Sequence, residues 1–493
     1  MKQRLNSILL IFMPRLQDIV FIAVFVSALL AGSQMLNLDG DLGRDLALGN
    51  YILAAHQVPS HDLFSFTKLG QPRPPYEWLA QLLFAIAYHW LNLDSIILLV
   101  ALVIGATFFI VYYEASRQSQ IPLTALILTL WAAIASSIHW LTRPHIFSFL
   151  LFAIWVSWLE RVRKEENLQP WFFPLLMLIW VNTHGDFIFG ILAWLAYFAG
   201  WLWEYAIKST YLERGKKLLF AGTTSLIATG ITPDLWHNWD AVLNNRSTYI
   251  LERTAETMPP NFSIPNFWPF AGLMVLAIIL LILNRKHIAA SHVFLLAGLA
   301  ASSLVIARNI PLAAIAATPI LATWISQSAT PKLWSKIEAS FSRIDKSLLG
   351  FFWPALFILA AIGLLAHHYS NTHATIYNFS PKIFPAQATD WLETHPMQGN
   401  MFNDFNWGGY LLYRLWPTQR VFIDSQSDFY GAAFIHKYSD IYNGGPDWDE
   451  ELTQYKVSWM IVPVNSAIAL AAQASDHWKI DYSDKTAVIF ERK

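Results

Sequence analysis

The sequence predicts a polytopic α-helical membrane protein with about eleven to twelve transmembrane helices and a C-terminal extracytoplasmic α/β domain. Three observations carry this expectation. Of 493 residues, 55% are hydrophobic and only 14% charged, whereas soluble domains carry about a quarter charged residues. Charge-free apolar runs long enough for a hydrocarbon layer of ~30 Å recur along the chain. Near residue 367 the composition changes, and short apolar strands begin to alternate with amphipathic stretches.

The run 19–36 opens the series. It is long, lacks a small-residue cleavage site and precedes an acidic loop, which marks a retained anchor and not a signal peptide. After the loop 38–76 comes the segment 77–92, which begins with Glu77 and ends in His89-Trp90. It is short for a crossing and suits an interfacial or re-entrant helix. Clear spans are expected at 95–113, 121–137, 187–203, 267–283, 310–325 and 348–366, with weaker ones at 145–159, 170–183, 218–232 and 293–307. Residues 1–367 then form the membrane domain and 368–493 the C-terminal domain. In the latter, strands are expected at 401–403, 420–424 and 459–463, with a hairpin of 478–482 and 486–491 turning at Ser483-Asp484-Lys485.

Lys and Arg near span ends concentrate on the cytoplasmic side. With the N-terminus inside and 77–92 not crossing, five basic clusters share that side: Lys2/Arg4/Arg15, Arg161/Arg163/Lys164, Lys208/Arg214/Lys216/Lys217, Arg285/Lys286 and Lys332/Lys336/Arg343/Lys346. The alternative, in which 77–92 crosses, turns most of them outward and puts the C-terminal domain in the cytoplasm. The first orientation also leaves the polar motifs on the outer face. These are the first loop, His139 to His145, Asn182 to Asp186, the loop 233–266 and Arg308-Asn309. Such a protein belongs in the cytoplasmic (inner) membrane. Zero Cys excludes disulfides, a thiolate nucleophile and cysteine metal sites. A formal net charge of -1 gives no reason to expect nucleic acid as a partner.

Asp39 and Asp41 are two residues apart and share a direction in extended chain, while Asp45 is one helical turn beyond Asp41. Oxygen ligands of this kind could hold Mg²⁺ or Mn²⁺, or supply a general base for an acceptor hydroxyl. The bland alternative is a solvated loop in which an aspartate caps a helix. His61-Asp62 follows Pro59-Ser60 at a turn and reads equally as a cap or as a substrate contact. Glu77 starts the interfacial segment, where a carboxylate suits the helix dipole without further duty. His184, between Asn182 and Asp186 at a junction of spans, is a weak ligand set by itself. Arg143, His145 and Arg308 suit a phosphate or pyrophosphate, with lipid headgroups as the plain alternative. In the C-terminal domain, Asn403 to Tyr410 and Phe422 to Asp428 either close turns against the membrane domain or face a substrate, and Gly408-Gly409 serves tight packing or close ligand approach.

The order of parts resembles the GT-C superfamily of integral membrane glycosyltransferases. The likeness rests on Asp41-Leu-Gly-Arg-Asp45, Pro59-Ser-His61-Asp62, Glu77-Trp78-Leu79, Arg143-Pro144, Asn182-Thr-His184-Gly185, Gly408-Gly409-Tyr410 and Phe422-Ile-Asp424, which look like a poorly characterised bacterial subgroup. The resemblance implies a polyprenyl-phosphate-linked sugar as donor, drawn from the membrane lipid phase, and an acceptor hydroxyl outside the cytoplasm. It makes Asp41, with Asp39 as neighbour, the general base or a metal ligand, and sets the donor phosphate against arginines such as Arg143 or Arg308. Asp-Asn-Glu and Trp-Trp-Asp signatures are absent from the sequence, which argues against glycan transfer to protein Asn. Two rivals stay open at this point: a transporter or flippase for a lipid-linked sugar, and a non-catalytic envelope assembly protein.

Overall fold

The computed structural model of the chain describes residues 12–208, 212–240, 255–285, 287–328, 331–348, 350 and 352–493. Lys2, Arg4, Lys286, the stretch 241–254 of the expected outer loop, and 349 and 351 of the last expected span lie outside the described residues. In chain order the membrane domain contains α1 (Leu16–Leu30), α2 (Asp41–Ala55), α3 (Trp78–Leu91), α4 (Leu93–Ser119), α5 (Pro122–Ser136), α6 (His145–Arg163) and α7 (Phe172–Thr183). It continues with α8 (Phe187–Lys208), α9 (Leu212–Ala228), α10 (Trp268–Asn284), α11 (Ala290–Val305), α12 (Ile310–Gln327), α13 (Lys332–Ser347) and α14 (Trp353–Thr372). Among the described residues seven segments, those of α4, α5, α6, α8, α10, α12 and α14, are long and apolar enough to cross a membrane, and α1, α3, α7 and α11 are shorter apolar helices. The chain is a multi-pass membrane protein.

Local chemistry sets many of these boundaries. Pro122, Pro269, Pro311 and Pro354 lie in the first turns of α5, α10, α12 and α14. A first-turn N–H has no intrahelical partner, so its loss there costs nothing. Pro319 sits inside α12, where it is buried. The centre of the domain is α12 packed with α4 and α6, lined by Phe108, Trp155 and Ile315.

The first loop does not lie loose. Helix α2 runs from Asp41 and packs along α3, with Gly49 against the carbonyl of Gln81 so closely that a Cβ has no room. At ~1.5 Å per residue, the 14 residues of α3 reach only about 21 Å, less than a hydrocarbon layer of ~30 Å.

The C-terminal domain carries α15 (Ala386–Thr394), α16 (Gly408–Leu415), α17 (Ala432–Tyr442) and a four-stranded sheet. Its strands are β1 (Asn400–Asn403), β2 (Val457–Pro463), β3 (Trp478–Ser483) and β4 (Ala487–Arg492), in the order β1-β2-β4-β3. β1 and β2 are parallel, and the other pairs antiparallel. The hairpin and the strands expected near 401 and 459 are present. The strand expected at 420–424 is not part of the sheet. Its Val421 pairs with the first loop instead, donating to the Phe64 carbonyl at 3.0 Å and accepting from the Phe66 N–H at 3.1 Å.

That pairing is one of three ties between the C-terminal domain and the first loop. In the second, Gly43 of α2 and Gly409 of α16 meet backbone to backbone, and a Cβ on either would overlap a carbonyl oxygen of the other segment. In the third, buried Arg73 forms an ion pair with Asp62 and another with Asp424 at 3.0 Å, and reaches Gln426. The Arg73 guanidinium also lies over the Phe429 ring, 4.7 Å from its centre. Gly408-Gly409 thus serves packing.

Candidate functional site

Helix N-termini place the polar side chains. Asp41 is the first residue of α2, Glu77 precedes α3, Arg143 and Pro144 precede α6, Asp186 precedes α8, and Arg308 lies just before α12. The positive ends of five helices therefore border one region, an arrangement that favours anions.

Arg143 is at its centre. Its guanidinium pairs with Asp39 at 2.9 Å, with Asp41 at 2.8 Å and with Glu256 at 3.0 Å. Asp41 also faces Arg44 at 3.7 Å and accepts a hydrogen bond from the Ser425 hydroxyl, so the C-terminal domain contributes to the cluster. The Asp41 backbone N–H donates to Asp39 at 2.9 Å, closing a tight turn over the helix start. Arg308 bridges the far side, 3.6 Å from Asp186 and 3.8 Å from Glu256. His184 lies between Asp186 at 3.2 Å and Glu77 at 3.4 Å. His145 stacks on His139, with ring centres 4.3 Å apart, and hydrogen-bonds the His139 carbonyl.

Burial and neighbouring charge divide the carboxylates. Burial pushes the Asp39 carboxyl up to about 6 against the pull of Arg143. Burial acts on Asp41 too, but Arg143, Arg44 and Ser425 outweigh it and hold that carboxyl at about 2. For Glu256, burial is likewise outweighed by Arg143 and Arg308, and it is held low. Asp186 is held low by His184 and Arg308 in spite of burial. Burial raises Glu77 and Asp45.

The structure brings Asp39, Asp41, Arg143, Arg308, His145, His184 and Glu77 together. Asp45 stands behind them, paired with Arg44 at 3.2 Å and receiving a hydrogen bond from Gln81. Two predicted residues make no contact with Arg143. His61 is exposed and bonded to Ser60, and it lines a pocket shared with Arg44 and Glu77; Asp62 is buried against Arg73 and Ser65, where it holds the first loop to the C-terminal domain. Sequence reasoning missed Glu256, Arg44 and Ser425. Arg44 was visible between the aspartates, and Glu256 and Ser425 fell inside the stretches 233–266 and 422–428 without being singled out; only folding carries Glu256 to Arg143.

The expectation of Mg²⁺ or Mn²⁺ between Asp39 and Asp41 does not fit this geometry. The guanidinium of Arg143 stands where a shared cation would, and among the described residues no group of three or more His, Asp and Glu is arranged to hold a metal.

Beside the cluster an open cleft of about 390 Å³ runs between α3 and α7, lined by Trp78, Leu79, Leu178, Ile179, Asn182 and Ile231. Its walls are mainly apolar, with Thr232 and the Trp78–Asn182 pair as polar points; the Trp78 indole N–H donates to Asn182 at 2.7 Å, next to Glu77 and His184.

No family model matches the chain, and no curated protein matches its sequence. Solved structures do. The Archaeoglobus fulgidus oligosaccharyltransferase in its apo form superposes with a TM-score of 0.59 at 11% identity, covering 96% of this chain and 74% of that one. The same organism's AglB, in complex with an inhibitory peptide and a dolichol-phosphate, gives 0.56 at 12%, with the same coverage. ArnT from Cupriavidus metallidurans bound to undecaprenyl phosphate gives 0.54 at 13%, covering 96% of this chain and 97% of that one. The chain has the GT-C fold, as the sequence resemblance implied.

Proposed function

We propose that the protein is a membrane glycosyltransferase that moves a sugar from a polyprenyl-phosphate donor to an acceptor hydroxyl outside the cytoplasm. The observation that carries this reading is the juxtaposition of a carboxylate pair, two arginines and an apolar cleft. The cleft is lined by Trp78 and Asn182, close in sequence to Glu77 and His184; a long-chain donor lying in it would bring its phosphate towards helix N-termini and guanidinium groups. Two solved proteins of this fold hold dolichol-phosphate and undecaprenyl phosphate.

In the proposed reaction the acceptor oxygen attacks the anomeric carbon while the bond from that carbon to the lipid phosphate oxygen breaks. The electron pair leaves with the phosphate, which Arg143 and Arg308 stabilise. The hydroxyl proton passes to the Asp39–Asp41 pair, with Asp41 as its anchored member. Asp39 is the more open of the two, its side chain 15% exposed against 5% for Asp41.

The orientation follows from charge. Arg117, Arg161 and Arg163 lie at the ends of α4 and α6 remote from the cluster. The 19 residues of α6 separate His145 from Arg163 by about 27 Å along the helix axis. With these arginines on the cytoplasmic side of the inner membrane, the cluster and the C-terminal domain face outward.

The test is release of polyprenyl phosphate by the protein in proteoliposomes supplied with a panel of polyprenyl-phosphate sugars and hydroxyl acceptors. Release dependent on an acceptor supports transfer. Silence across a broad panel, from protein shown to be folded, would favour movement of lipid-linked sugars or envelope assembly.

A further inference from the structure

Three carboxylates converge on Arg143 from two separate parts of the chain, Asp39 and Asp41 from the start of the first loop and of helix α2, and Glu256 from the loop before α10. Clusters of this kind normally hold a divalent ion, because like charges brought together out of water need a cation among them. Here the cation is built in. Both Nη atoms of Arg143 are engaged, Nη1 by Asp39 and Glu256 and Nη2 by Asp41. A second guanidinium, Arg308, faces Glu256 from the opposite side, and Arg44 faces Asp41. A divalent ion placed between Asp39 and Asp41 would lie against the Arg143 fork and be repelled by it. Pro144 and the start of α6 hold the Arg143 backbone directly beside the site.

We propose that Arg143 takes the place of a divalent cation, so that the centre holds its carboxylates and stabilises the departing phosphate without metal. The part concerning the phosphate rests on the glycosyltransferase reading; the part concerning the carboxylates does not. Arg143 is fitted to both, since its side chain is 25% exposed while paired and a guanidinium binds carboxylate and phosphate alike through planar pairs of N–H donors.

The test is MnCl₂ titration of the full-length protein in nanodiscs, followed by electron paramagnetic resonance of free Mn²⁺, for the native chain, Arg143→Gln and the double variant Arg143→Gln/Asp41→Asn. The native protein is expected to leave the free Mn²⁺ signal unchanged. Arg143→Gln, with its carboxylates unpaired, is expected to bind Mn²⁺ at least about tenfold more tightly than the native chain, and the double variant to lose that gain. Native binding that disappears in Asp41→Asn overturns the proposal, as does a folded Arg143→Gln that gains no affinity. If Arg143→Gln does not fold, the native titration decides alone, with Asp41→Asn as its control. This binding readout stands whether or not any sugar donor is turned over. Where transfer is observed, unchanged rates in EDTA support the proposal, and rates lost in EDTA and restored by Mg²⁺ overturn it.

Discussion

Asp41→Asn separates a catalytic carboxylate from a structural one. The substitution keeps the shape of the side chain and removes its charge. Arg143 loses a partner at 2.8 Å but keeps Asp39 and Glu256, and Arg44 keeps Asp45 at 3.2 Å. The amide still accepts from Ser425. The cost in stability should therefore stay near that of a single weakened charged hydrogen bond, about 1–3 kcal/mol. Loss of a general base costs ~10²–10⁴-fold in rate, or about 2.7–5.4 kcal/mol of transition-state stabilisation at 1.36 kcal/mol per tenfold. Transfer should fall by at least about 100-fold while the protein melts close to the native temperature. The assay is release of polyprenyl phosphate in proteoliposomes, quantified by mass spectrometry, beside a thermal scan of the same preparation. A variant within threefold of the native rate would refute the assignment of Asp41 and move the role of base to Asp39.

Three further outcomes follow from the same geometry. Burial pushes the Asp39 carboxyl up to about 6, above the ordinary carboxylate range, so its charge is lost as pH falls through that value; transfer should decline as pH falls through 6, and Asp39→Asn should flatten that limb. A pH profile with no inflection near 6 in the native protein would remove Asp39 from the chemistry. Asp62→Ala leaves buried Arg73 with only part of its neutralising charge; breaking a buried ion pair costs about 3–5 kcal/mol, so protease should cut the connection 373–385 faster, and unchanged cleavage would show that the tie contributes nothing. Ile179→Trp narrows the apolar cleft and should raise KM for a long-chain donor by about tenfold, equivalent to 1.4 kcal/mol, with kcat retained; an unaltered KM would place the lipid elsewhere.

Composition and apolar run length were enough to determine a multi-pass membrane protein, because the requirement to satisfy every backbone group in hydrocarbon leaves the chain few choices. The terminal sheet and its hairpin were also legible, from alternation and a turn of Ser, Asp and Lys. The identity of Asp39, Asp41, Arg143 and Arg308 as one group was suggested by topology alone, since each falls at a span end on the same side. Tertiary structure decided what those residues do to one another. Arg143 and Glu256 are 113 residues apart, and no local pattern announces that one guanidinium will stand among three carboxylates. It also settled Asp62 as a turn cap paired with Arg73 and took the strand expected at 420–424 out of the sheet. Local propensity gives an extended segment rich in β-branched and aromatic residues no partner, and the partner it found was the first loop. Run length and periodicity are properties of neighbours along the chain, whereas charge pairing depends on which helix ends meet, and that is settled only when the helices pack.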